Sequence, residues 1–140
     1  MKYRSRVSGP LLDRIDIHIE MPAVKFKELS QAPSGEPSSP ICKRANYARD
    51  IQLKRFADRH DIFCNAHMAS RDLRKYCPID DRSQNLLKVA ITRLGLSARA
   101  YDRILKVGRT IADLAQSEAI LAEHISEAIQ YRTLDRNLWS

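Results

Sequence analysis

The sequence predicts a mainly α-helical protein, a bundle of four to five helices preceded by one β-strand. Apolar residues recur at helical spacing over most of the chain after residue 41. Apolar and polar residues alternate in one short stretch near the N-terminus, and a Pro/Ser/Gly-rich stretch separates the two patterns. With 140 residues, the chain is long enough for one modest domain with a core, but short for two.

The predicted strand covers residues 10–24. Three isoleucines, Ile15, Ile17 and Ile19, alternate there with charged or polar residues, which is the period of a half-buried strand. The residues that follow predict helices, so the chain offers this strand no sheet. We therefore expect it to be disordered, to pack on the helices or to exchange with a second copy of the chain.

Composition divides the chain into four parts. Residues 30–40 contain no apolar side chain larger than alanine or proline, which predicts a flexible linker and a domain boundary. Residues 1–29 lie before this linker, residues 41–132 form the helical domain, and residues 133–140 form a frayed tail.

The helices are predicted from capping residues and apolar stripes. Gly108 lies in the middle of one apolar stripe, which favours a second helix crossing closely there. The last helix is expected to turn Leu121 inward, together with Ile125. The predicted helices begin at the N-cap Ser39 and run to about Asp58, span Ser70 to Tyr76 before Pro78, run from the N-cap Ser83 to Gly95, begin at the N-cap Ser97 with an inward apolar stripe from Ile104 to Ala115, and span Leu121 to Tyr131.

Composition also limits the classes of function. No stretch approaches 18 consecutive apolar residues and no signal-peptide pattern is present, so we expect a cytoplasmic protein without a membrane partner. The formal net charge of +7 favours a polyanion partner such as nucleic acid or nucleotide phosphate; the alternative is a basic surface that serves solubility alone. The basic face of the first helix leaves the same two interpretations open, a solvated face or a DNA contact; it comprises Lys43, Arg44, Arg49, Lys54, Arg55 and Arg59.

Sequence motifs for nucleotide or metal binding are weak. The chain has no GxxxxGK[ST] loop. His60, Cys64, His67 and Cys77 fall within a short stretch, but structural zinc sites usually show two tight ligand pairs. We therefore expect buried cysteines and surface histidines, and no metal site.

Two arginines are candidate phosphate ligands. Arg14 directly precedes the alternating stretch, where it either forms an ion pair with Asp13 or Asp16 or stabilises charge on a transferring phosphoryl group. Arg99 lies in the first turn of the helix capped by Ser97. A cation is unfavourable there unless an anion binds at that helix terminus.

Several motifs resemble the C-terminal part of the magnesium-chelatase-like AAA+ ATPases, in the competence-protein (ComM/YifB) branch. The two long motifs are VSGPLLDRIDIHIE at 7–20 and LSARAYDRILKVGRTIADL at 96–114, and ISEAIQYR at 125–132 fits the closing helix of that branch. Its basic helix is matched by Ala48, Arg49, Gln52 and Arg55.

The resemblance implies a ring-forming ATPase, expected to be a homohexamer, that acts on DNA in branch migration. Arg14 would be the arginine finger acting in trans, Arg99 the sensor-2 arginine of the helical lid, and Arg49, Lys54 and Arg55 DNA contacts. ATP and magnesium would bind in a longer parent. The family's phosphate-binding loop would precede Met1, so the chain is expected to be a lid fragment with an orphan strand, without a cofactor or enzymatic activity of its own.

Three alternatives remain open at this stage. The first is a stand-alone basic helical module that binds nucleic acid. The second is the ATPase subunit of a true magnesium chelatase, which inserts the metal into a porphyrin. The third is a module that serves only to assemble the ring, with both arginines in internal ion pairs.

Overall fold

A computed structural model describes Leu11 and residues 14–24 and 35–132. Within this part the fold is helical, which confirms the mainly α prediction. The predicted tail at 133–140 and linker residues 30–34 lie outside it. The elements in chain order are α1 (Ser38–Arg55), a 3₁₀ turn (Asn65–His67), α2 (Ser70–Tyr76), α3 (Asp81–Leu94), α4 (Ala98–Leu114) and α5 (Ala122–Gln130).

Helix α4 is central to the bundle. It packs against α1, α2, the 3₁₀ turn and α5, and α5 packs in addition against α3. The predicted stripe of α4 is buried at Ile104, Leu105, Gly108 and Ala112. Two predictions about inward residues are wrong: Ala115 is exposed just beyond the end of α4, and Leu121 is 43% exposed at the N-cap of α5.

The close helix crossing predicted at Gly108 is confirmed. A Cβ atom added to Gly108 would lie 2.9 Å from Cδ1 of Ile125 on α5. Ile125 itself is fully buried. The glycine therefore sets the distance between α4 and α5, because any side chain at this position displaces the facing helix or its isoleucine.

The predicted strand is not formed in the part of it that the structure describes. Residues 14–24, called the N-terminal segment below, contain no strand, and Ile15, Ile17 and Ile19 remain exposed. A strand requires hydrogen bonds from a neighbouring strand, and the described residues contain only one isolated bridge, between Ile79 and Ile120. The segment packs on the helices instead: the His18 N–H donates to the carbonyl of Tyr131, past the end of α5, at 2.9 Å.

Helix ends follow local capping chemistry. Ser97 caps α4 as predicted and accepts from the Ala100 N–H at 3.1 Å, and Gly95 ends α3 in the left-handed region at φ +63°. The prediction of Ser83 as a cap is wrong. The cap is Asp80, whose carboxylate accepts from the Ser83 N–H at 2.8 Å, and hydrogen bonding from Ser83 lowers the pKa of Asp80.

Helix α1 begins and ends earlier than predicted. Its N-cap is Pro37, in an extended conformation, so Ser39 and Pro40 lie inside the first turn. Proline is tolerated there because the first N–H groups of a helix have no intrahelical acceptor. The helix ends at Arg55, not near Asp58.

A buried polar cluster joins α1 to α4. We call it the Asp113 cluster; it comprises Arg55, Asn65, Arg109 and Asp113. The Asp113 carboxylate is 1% exposed and accepts two hydrogen bonds from Arg55, at 2.5 and 2.8 Å. It also accepts from Arg109 Nε at 3.1 Å and from Asn65 Nδ2 at 2.8 Å. One carboxylate thus connects α1, the 3₁₀ turn and α4.

Arg109 extends this cluster to the connection between α4 and α5. Its two terminal nitrogens donate to the carbonyls of Glu118 and Ser117, at 2.8 and 2.7 Å. Burial lowers the pKa of Arg109, and the charge of Asp113 opposes that effect. The guanidinium therefore depends on Asp113 and on these carbonyls for the solvation that it loses.

Valine at position 108 should destabilise the protein. We expect Gly108→Val to lower the free energy of unfolding by about 1–3 kcal/mol, because the new side chain overpacks the α4–α5 contact. Urea unfolding followed by circular dichroism measures the change. Gly35→Val is the matched control, since a Cβ added at Gly35 meets nothing within 4 Å. Equal stability of both variants would contradict the close crossing.

Removal of the charge of Asp113 should have a larger effect. We expect Asp113→Asn to lower the free energy of unfolding by about 3–5 kcal/mol, because Arg109 then keeps a buried charge without a counterion. Asp50→Asn, which changes an exposed aspartate of α1, is the control. A loss for Asp113→Asn no greater than that of the control would show that the cluster contributes nothing to stability.

Candidate nucleotide-contact site

Arg14 lies at the surface, at the start of the N-terminal segment. Its backbone N–H donates to the carbonyl of Leu11 at 3.0 Å, which closes a turn, and its side chain is exposed. Of the two aspartates considered as internal partners, Asp16 forms an ion pair with Arg103 of α4, and Asp13 lies outside the described residues. Arg14 therefore lies on a turn that is attached to α4 through Asp16, two residues later in the sequence.

Arg99 lies in the exposed first turn of α4. The N-terminus of this 17-residue helix carries a partial positive charge and adds to the charge of the guanidinium. Together they favour an anion. Next to them is a shallow groove in which the Ser70 hydroxyl donates to the Asp102 carboxylate. The groove is lined by Ser70, Ile91, Ser97, Ala98, Arg99, Tyr101 and Asp102.

Two arginines of the basic face of the first helix, Arg44 and Arg59, are neutralised by carboxylates. Arg44 makes two hydrogen bonds to Glu36, at 2.5 and 2.8 Å, and these lower the pKa of Glu36. Arg59, beyond the end of α1, pairs with both Asp61 and Asp72 at 3.0 Å. These two arginines therefore add no net positive charge to a surface for a polyanion.

The three predicted DNA contacts differ in their surroundings. Arg55 belongs to the Asp113 cluster and its side chain is only 16% exposed. Arg49 is exposed and donates to the carbonyl of Phe63 at 2.8 Å. Because a carbonyl carries no net charge, this contact does not neutralise the guanidinium. Lys54 is also exposed. A polyanion on this face would meet Arg49 and Lys54, whereas the guanidinium of Arg55 is directed into the protein.

The cysteines and histidines of the middle of the chain are separated. Cys77 is buried, and burial raises the pKa of its thiol to about 11. Cys64 is partly buried, and His67 accepts a hydrogen bond from the Phe63 N–H through Nδ1, at 3.3 Å. Within the described ranges, no three residues of the types that bind metals are grouped closely enough to hold an ion.

Sequence reasoning missed two ion pairs that organise the helices, Arg109 with Asp113 and Arg103 with Asp16. Asp113 and Arg109 are spaced four apart on α4, next to the buried positions Gly108 and Ala112, and that spacing was a usable signal for a buried ion pair. Arg103 gave no such signal, because its partner Asp16 lies in a distant part of the sequence.

Comparison with known proteins identifies the family. Residues 35–132 match the family described as magnesium chelatase, subunit ChlI C-terminal, and residues 1–29 match the family described as magnesium chelatase, subunit ChlI. None of the helices formed by the described residues is long and apolar enough to cross a membrane.

Individual relatives are similar along nearly the whole chain. The chain is 39% identical over 139 residues to the competence protein ComM of Haemophilus influenzae and, equally, to the uncharacterized protein YifB of Escherichia coli. An uncharacterized protein of Mycobacterium tuberculosis is 30% identical over 131 residues. These matches cover 99%, 99% and 94% of the chain but 26% of each relative, so the chain spans about a quarter of their length. On this evidence the chain belongs to the magnesium-chelatase ChlI family, with residues 35–132 forming the C-terminal region of that family.

Proposed function

We propose that this chain is the helical lid of a magnesium-chelatase-like AAA+ ATPase of the ComM/YifB type. In this proposal Arg14 is the arginine finger for the nucleotide of a neighbouring subunit, and Arg99 is the sensor-2 arginine that contacts the γ-phosphate. The observation that carries the proposal is that both side chains are exposed, whereas Arg55, Arg109 and Arg132 are held inside the protein.

The chemistry asked of these arginines is electrostatic. Negative charge is distributed over the oxygens of a γ-phosphoryl group during transfer, and a guanidinium placed against them lowers the barrier. An arginine finger accelerates hydrolysis by about 10³- to 10⁵-fold in other NTPases. Arg99, next to the N-terminal N–H groups of α4, would transmit the presence of the γ-phosphate to the orientation of that helix.

The rest of the catalytic machinery is proposed to lie elsewhere in a longer parent. The family implies ATP as the substrate and a magnesium ion, which neutralises phosphate charge when it is bound. This chain contains no GxxxxGK[ST] loop, and among its described residues no group of three or more carboxylates, histidines or cysteines could hold the ion. The chain would therefore supply arginines to the nucleotide without enclosing it.

We further propose a cytoplasmic, homohexameric ring that remodels DNA or migrates branches. One relative bears the name competence protein, which favours DNA over the porphyrin substrate of a true magnesium chelatase. The net charge of +7 agrees with a polyanion partner. Of the residues first considered for DNA contact, we retain Arg49 and Lys54, which are exposed, and leave out Arg55, which is bound to Asp113.

Loss of either arginine should abolish ATP hydrolysis in the full-length protein. We expect Arg14→Ala to lower kcat by about 10³-fold or more, and Arg99→Ala to lower it strongly, with thermal unfolding unchanged because both side chains are exposed. Arg71→Ala, which removes an exposed arginine of α2, is the control. Normal turnover in both variants would refute the proposed roles. Loss of ring assembly before loss of activity, measured by light scattering, would assign the arginines to subunit contact instead.

The DNA contribution of α1 is tested by salt dependence. We expect the double variant Arg49→Ala, Lys54→Ala to lower the slope of log affinity against log salt by about 2, since each cation that contacts a phosphate contributes about 0.9. The control is Lys88→Ala, Arg93→Ala, which removes the same charge from exposed positions of α3. Equal losses in both double variants would assign the binding to net charge alone.

A further inference from the structure

Three polar contacts fasten the N-terminal segment directly after Arg14. The carbonyl of Ile15 accepts a hydrogen bond from the guanidinium of Arg132, and Asp16 forms an ion pair with Arg103. The His18 N–H donates to the carbonyl of Tyr131 at 2.9 Å. In the absence of strand pairing in this segment, these contacts fix its register on the helices.

The contacts differ in burial. Arg132 is 1% exposed and lies just past the end of α5, and its bond to the carbonyl of the exposed Ile15 is partly buried, so water competes for this bond less than for a surface contact. Arg103 and Asp16 have side chains that are 22% and 48% exposed. An ion pair at the surface adds little to global stability, so variants of this pair should fold normally while their effect on the segment remains measurable.

The position of Arg103 on α4 links the two proposed nucleotide contacts. Arg103 follows Arg99 by four residues, which is one helical turn, or about 6 Å along the axis, on the same face of the helix. Its partner Asp16 follows Arg14 by two residues. The path from Arg14 to Arg99 thus runs through one ion pair and one turn of helix.

We propose that Arg103 and Asp16 are positioning residues that hold the arginine finger in register with the sensor-2 helix. The hydrogen bond from the buried Arg132 to Ile15 fixes the place at which the segment crosses the helices, and the ion pair fixes the orientation of the turn that carries Arg14. A rotation of α4 caused by the γ-phosphate is then transmitted to Arg14 of the same subunit. The roles of Arg14 and Arg99 rest on the proposed function, whereas the link between them is a property of this chain.

The link is tested first without any activity assay, by hydrogen exchange on the 140-residue chain. We expect Arg103→Ala to speed exchange of the His18 amide by about tenfold, because the segment opens locally, with the interior amides of α4 unchanged. The charge-reversed pair Asp16→Arg, Arg103→Asp should restore slow exchange, and Arg93→Ala on α3 should have no effect. Unchanged exchange at His18 in Arg103→Ala, or failure of the reversed pair to restore it, would overturn the link.

The second measurement is steady-state ATP hydrolysis by the full-length protein. We expect Arg103→Ala to lower kcat by about 10- to 100-fold, with KM for ATP unchanged, because a displaced finger weakens the chemical step and not ground-state binding. The charge-reversed pair should recover kcat. An Arg103→Ala variant with full kcat, alongside an inactive Arg14→Ala, would overturn the positioning role alone. An active Arg14→Ala would overturn the proposed function and leave the exchange result standing.

Discussion

The arrangement of the bundle depends on the hydrogen bonds that the Asp113 carboxylate accepts from three other residues. Helix α1 has a thin apolar stripe, with Ala48 buried and Ile41 exposed. Hydrophobic contact alone therefore contributes little to the packing of α1 on α4. The bidentate ion pair between Arg55 and Asp113 attaches α1 to α4. Arg109, which also binds Asp113, donates to the backbone carbonyls that follow α4. Burying these charges gains little free energy over an apolar contact. Their burial does restrict the relative orientation of the helices, because the N–H donors of a planar guanidinium point in fixed directions.

The same cluster has consequences at the other end of the bundle. By fixing the carbonyls of Ser117 and Glu118, Arg109 fixes where α5 begins, and the close crossing at Gly108 fixes its distance from α4. Helix α5 then ends where Tyr131 and Arg132 meet the N-terminal segment. The position of Arg14 therefore depends on a series of contacts that begins at Asp113, a residue distant from Arg14 in the sequence.

Local chemistry was predictable from the sequence, and partners distant along the chain were not. The bounds Ser70–Tyr76, the cap at Ser97 and the end at Gly95 depend on a few adjacent residues, and all three are confirmed. Ser83 was misassigned because a serine at the third helical position and a serine at the cap give similar patterns. The isoleucine alternation predicts a strand, but a strand also needs a neighbour, and the described residues provide none beyond one isolated bridge. Among the candidate site residues, Arg55 lies on the same face of α1 as Arg44 by helical periodicity. Its burial could not be predicted, because its partner Asp113 lies 58 residues away in the sequence.

Burial excludes some of the arginines as phosphate ligands, so the net charge alone does not identify candidates. The net charge of +7 includes Arg55 and Arg109, whose donors are taken by Asp113 and backbone carbonyls. Salt acts differently on the contacts beyond Arg14, because screening weakens the ion pair of Asp16 with Arg103 more than the hydrogen bond from Arg132 to an uncharged carbonyl. At high salt the segment therefore stays attached at Arg132, while the ion pair fixes its orientation less firmly.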